Sequence, residues 1–126
     1  MKLSLIICLA FITVSCAQDK VNRTTLGINN ARAELKQALS NVNAHNVINN
    51  KSVIIKDSIT AIAIAEPLLF SIYGRKNIIS QRPYDIYQID NYWVLSGTLP
   101  KDSAGGTFLI ITDDRNGKVV RVTHGK

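Results

Sequence analysis

SITAIAIAEPLLFSIYG, running from Ser58 to Gly74, is the stretch on which the fold turns. At about 100° per residue, Ile59, Ile62, Ala63, Phe70 and Tyr73 gather on one side of a helix, and Ile64, Leu68 and Ile72 on the other. Only Thr60, Pro67 and Ser71 form a polar edge. The pattern predicts a helix capped by Asp57 or Ser58 and stopped by Gly74. Apolar on most of its circumference, this helix calls for cover on more than one side.

Working outward, four short strand-like runs follow, about 83–89, 92–99, 107–112 and 118–124, with turn signals between them. Asp90-Asn91 suits a tight hairpin, Asn116-Gly117 a primed or bulged turn, and Pro100 to Gly106 a longer polar loop. A helix followed by a meander specifies an α+β domain, with N-terminal helices packed on a curved antiparallel sheet of about four strands. Upstream, Ala31, Leu35, Ala38, Leu39 and Val42 give residues 29–42 one narrow apolar helical face. Residues 41–52 carry five asparagines and read as loop. The organisation expected is a leader at 1–15, a tether at 16–28 and a single domain at 29–126.

Lys2 followed by the apolar run Leu3 to Val14 is too short to span a bilayer and reads as a signal peptide. Two processing readings fit. Thr13-Val14-Ser15-Cys16 resembles a bacterial lipobox, which would acylate Cys16 and leave a membrane-anchored envelope lipoprotein. Cleavage after Ala17 would instead release a soluble periplasmic protein. With Cys8 lost in the leader, Cys16 has no partner for an intramolecular disulfide. The formal charge is +6, but the basic residues are scattered, which argues against nucleic-acid binding and fits an acidic protein partner or anionic membrane.

Glu66 falls in the middle of an apolar helix face, so its carboxylate needs a partner, and Arg82, Arg121, Tyr84 and Tyr87 are candidates. It reads as a helix-to-sheet ion pair, with a pocket acid as the alternative. His45 and His124 lack metal-ligand spacing, no Gly-x-Ser-x-Gly is present, and the expectation is of no catalytic residue, metal or cofactor. Strand alternation sets Trp93 and Leu95 on one face of the sheet, Tyr92 and Val94 on the other. One set belongs to the core and the other is open to a partner.

Ala61-x-x-x-Ala65-Glu66, Ile72-Tyr73-Gly74, Gln81-x-Pro83-Tyr84, Trp93-x-Leu95-x-Gly97-Thr98-Leu99-Pro100, Gly105-Gly106 and Val122-Thr123-His124-Gly125-Lys126 occur in an order that resembles a family of bacterial immunity proteins of polymorphic toxin systems. The resemblance covers roughly residues 53–126. It implies a nuclear-transport-factor-like (cystatin-like) fold and a non-enzymatic role, binding and occluding a cognate protein toxin. The face it implies for the partner has Arg82, Tyr84 and Trp93 near its centre. Two other readings are a small-molecule-binding or enzymatic pocket with Glu66 as its acid, and a structural envelope lipoprotein.

Overall fold

The computed structural model describes residues 23–125; the leader, Cys16 and most of the tether lie outside the described residues. The chain divides into two compact units, residues 1–44 and 45–126. In the first, helix α1 spans Gly27–Ser40 and contributes no buried side chain. Its start lacks a side-chain cap, and it ends where Asn41 turns extended and returns its N–H to the Gln37 carbonyl.

In the second unit the asparagines upstream of the long helix cap their own backbone. Asn46 Oδ1 accepts from Ile48 N–H, and Asn49 Oδ1 from Lys51 and Ser52 N–H. Helix α2 then covers Ser58–Tyr73, the bounds the sequence predicts. Asp57 Oδ1 accepts from Thr60 N–H at 2.8 Å, and Gly74, at φ 84°, ends the helix where a side chain would be strained.

Ala61, Ala65 and Leu69, one turn apart, form the buried stripe of α2. Within the second unit the sheet covers α2 from one side, and Ile59, Ile64, Leu68 and Ile72 are exposed among the described residues. Beyond Gly74 the chain continues as α3, Arg75–Ile79, a helix the periodicity did not reveal. Five residues are too few to show a helical period, yet α3 buries Ile78 completely.

The strands β1 (Asp85–Ile89), β2 (Tyr92–Ser96), β3 (Phe108–Asp113) and β4 (Val119–His124) form one antiparallel meander in the order β1-β2-β3-β4. The first two strands are shorter than their apolar runs. Thr98 N–H leaves the ladder to reach the Gln81 carbonyl. A bulge between Ile111 and Thr112 shifts the β3–β4 register. The β3–β4 turn closes through Asp113 N–H to the Lys118 carbonyl, with Gly117 at φ 75°.

The inner face of the sheet carries Trp93, Leu95, Phe108 and Ile110, and its core is completed by Ala65, Leu69 and Ile78. Ile55 joins it from the loop before α2. Its N–H donates to the Asp114 carbonyl, and its carbonyl accepts from Trp93 Nε1 at 2.9 Å. Alternation therefore puts Tyr87, Ile89, Tyr92, Val94, Leu109 and Ile111 on the outer face.

Candidate functional site

The cluster around Glu66 starts from Gln81, a polar side chain driven into the core. It is 5% exposed, and its Oε1 accepts from Phe108 N–H at 3.0 Å while its Nε2 donates to Asn77 Oδ1. Gly97 makes room for it: a Cβ there would meet Gln81 Oε1 at 2.1 Å. With the Gln81 carbonyl also holding Thr98 N–H at 2.9 Å, the segment after α3 is fixed to both middle strands. The next residues, Arg82, Pro83 and Tyr84, are thereby carried past α2 beside Glu66.

Glu66 Oε1 accepts from Arg82 Nε at 3.0 Å and from Tyr84 OH at 2.8 Å, and it forms an ion pair with Arg82 Nη2. The Tyr84 ring packs edge-on against Phe108 with centroids 5.2 Å apart, so its hydroxyl is held by the core from below. Burial alone would raise the Glu66 carboxyl, but the hydrogen bonds from Arg82 and Tyr84 outweigh it and hold the pKa below the ordinary carboxylate value. Burial pushes the Tyr84 hydroxyl up. The Arg82 side chain remains half exposed, 49% against 15% for Glu66. Beside it lies an open groove of about 650 Å³ lined by Ile62, Arg82, Pro83 and Tyr84.

Of the residues the sequence singles out, Glu66, Arg82 and Tyr84 come together; Arg121 and Tyr87 stand apart, on the outer face of the sheet. Trp93 does not share their surface. It is 8% exposed and holds the Ile55 carbonyl, so the Trp93–Leu95 set is the core set and Tyr92–Val94 the open one. His45 is exposed, and His124 Nδ1 lies 3.4 Å from Tyr73 OH above a recess of about 150 Å³. Among the described residues no group of three or more His, Cys, Asp or Glu is placed to hold a metal ion. None of the described helices is long and apolar enough to cross a membrane.

Sequence reasoning missed one pair. Arg115 grips Asp113 through two side-chain bonds of 2.9 and 2.7 Å and lowers its carboxyl to about 2. The signal was the Asp-x-Arg spacing across a turn, hidden by its position after an apolar strand. Chemically, the Glu66 cluster offers an ionised acid already committed to a guanidinium, which suits recognition better than proton transfer.

The sequence model of a family described as NTF2 fold immunity protein matches residues 60–126. Two proteins of Escherichia coli (strain K12), both described as uncharacterized, are similar to the same extent. YhhH is 31% identical over 74 residues, 58% of each chain, and YbbC 34% over 73 residues, 57% of this chain and 60% of its own. The chain thus spans less than two-thirds of the length of these relatives. No solved structure matches significantly.

Proposed function

The chain belongs to the NTF2-fold immunity protein family, and from that premise we propose that it binds a cognate protein toxin and neutralises it by covering the toxin's working surface. Membership supports an immunity-type, non-enzymatic role. The observation that carries the binding site is the half-exposed Arg82, pre-oriented by Glu66 and Tyr84 at the edge of an open, largely apolar groove. A guanidinium already held in place loses little side-chain freedom on docking, and Arg beside aromatic rings is typical of interface hot spots. The partner surface that fits is acidic at its centre and apolar around it.

Export is part of the same proposal. The leader at 1–15 would carry the domain to the envelope, where acylation of Cys16 would anchor it to the membrane, or cleavage after Ala17 would leave it soluble in the periplasm. Protection would then act outside the cytoplasm. The pocket-acid reading loses ground, because a carboxyl held below its ordinary pKa by two donors is a poor proton donor near neutral pH.

Co-expression of the full chain with the product of the neighbouring gene, followed by affinity capture, tests the proposal. A stoichiometric complex that survives washing is expected. Capture of the chain alone, with the neighbour's product folded and abundant, contradicts it.

A further inference from the structure

Ile62, Glu66 and Phe70 follow one another at four-residue spacing and so share one line along α2. At Glu66 the line meets Arg82, whose guanidinium lies over the Tyr84 ring, 5.8 Å from its centroid. At Phe70 it meets a second cation. The Arg75 guanidinium lies over the Phe70 ring, 4.8 Å from its centroid. In an unbroken helix Arg75 would stand about 140° round from Phe70. The break at Gly74, which makes Arg75 the first residue of α3, brings it back over the ring. Two arginines, each resting on its own aromatic ring, are therefore ordered beside positions about 6 Å apart along the helix axis. Every residue in this arrangement belongs to the second unit.

The two are not equally committed. Glu66 Oε1 accepts from both Nε and Nη2 of Arg82, which occupies the side edge of that guanidinium and leaves its Nη1 end. Among the described residues the ion pairs are Arg82 with Glu66 and Arg115 with Asp113, and Arg75 enters neither. Stacking uses the face of a guanidinium and leaves the N–H groups in its plane to a carboxylate. Arg75 also lies within electrostatic reach of Glu66. One resident carboxylate stands against two guanidinium groups, so the site carries a positive charge that nothing in it answers.

We propose that Arg75 and Arg82 form a two-point clamp for carboxylates, and that the toxin segment seated there carries two acidic side chains about one helical turn apart, one for each arginine. The clamp rests on the immunity reading above and names the partner's chemistry. An acidic segment answers the spare charge, whereas a basic or wholly apolar one would leave it unpaired. A guanidinium anchored on a ring gives up little freedom on docking, so Arg75 adds affinity that an untethered cation would not. Lys76 supplies the comparison. It is the next residue and carries the same charge, and the cation–ring contacts among the described residues belong to Arg75, Arg82 and Arg115.

Two measurements separate the clamp from the reading it rests on. Tetraglutamate, titrated at low salt into the full chain in mild non-ionic detergent, needs no toxin. The Nε–H nuclear magnetic resonance signals of Arg75 and Arg82 are both expected to shift, with one dissociation constant. An Arg75 signal that stays in place overturns the clamp. With the captured product of the neighbouring gene, Arg75→Gln is expected to raise Kd at least tenfold (about 1.4 kcal/mol) while circular dichroism stays native. It is also expected to flatten the rise of Kd between about 50 and 200 mM salt. Lys76→Gln is expected to change Kd less than about threefold. A complex indifferent to Arg75→Gln, or weakened as much by Lys76→Gln, overturns the clamp and leaves the immunity reading standing. A chain whose Arg75 answers tetraglutamate but which captures no partner keeps the carboxylate clamp and contradicts the immunity reading.

Discussion

Glu66 meets Arg82 and Tyr84 at the boundary between core and solvent, and this one contact couples stability to the proposed recognition. Because the folded carboxyl titrates below its unfolded value, its stabilisation is complete above the unfolded pKa of roughly 4.3 and disappears as pH falls through the lower folded value. Glu66→Gln is expected to cost about 1 kcal/mol near neutral pH, measured by urea denaturation, and to narrow the stability gap from wild type below pH 4.5 or so. Toxin capture should persist in Glu66→Gln and vanish in the double variant Glu66→Gln/Arg82→Gln, where no unpaired charge is left to disturb the fold. Trp93→Phe should behave oppositely. It strips the Ile55 carbonyl of its donor, for a loss of about 2 kcal/mol, with toxin affinity of the folded fraction unchanged. Sequence alone placed Glu66 on an apolar face and named both of its eventual partners. It could not rank Trp93 as core, since alternation gives two faces without saying which one the helix covers.

At the scale of elements, α2 was legible to its ends because cap, apolar run and terminal glycine agree. Its cover was not. Ile64 and Leu68 look as apolar as Leu69 in the sequence, yet only Leu69 reaches Phe108 and Leu95 across the core. Leu69→Ala is therefore expected to cost about 3 kcal/mol in denaturant unfolding, and Leu68→Ala under about 1. α3 escaped notice for want of length, and with it the Gln81 pin. Gly106 shows how tightly the C-terminal strand closes: a Cβ there would meet the Gly125 carbonyl oxygen at 1.7 Å. Gly106→Ala should thus loosen the end of β4, where Gly125 N–H holds the Thr107 carbonyl, and hydrogen exchange at Gly125 should rise well before global stability is lost.

Across the whole molecule, the acid limb should be steep. Asp113, held to about 2 by Arg115, and Asp57, lowered by its hydrogen bonds from Thr60, join Glu66 as carboxylates that are lower in the folded state. Stability should be flat above about pH 5 and decline progressively from pH 4 toward 2, a profile that thermal melts along a pH series would check. The α+β class and its strand order were readable because each strand is bounded by its own turn residues. The family was readable because its motifs fall at the turns and helix ends that build the Gln81 and Glu66 contacts. The partner surface was less so, since it depends on which side of a sheet stays open. Neutralisation by direct binding is the central proposal. The most direct measurement is the activity of the neighbouring gene's product, the proposed toxin, titrated with the purified chain. Activity is predicted to fall linearly to zero at one chain per toxin, and the Glu66→Gln/Arg82→Gln chain, folded by circular dichroism, to leave it intact. Full toxin activity in the presence of excess folded wild-type chain would contradict it.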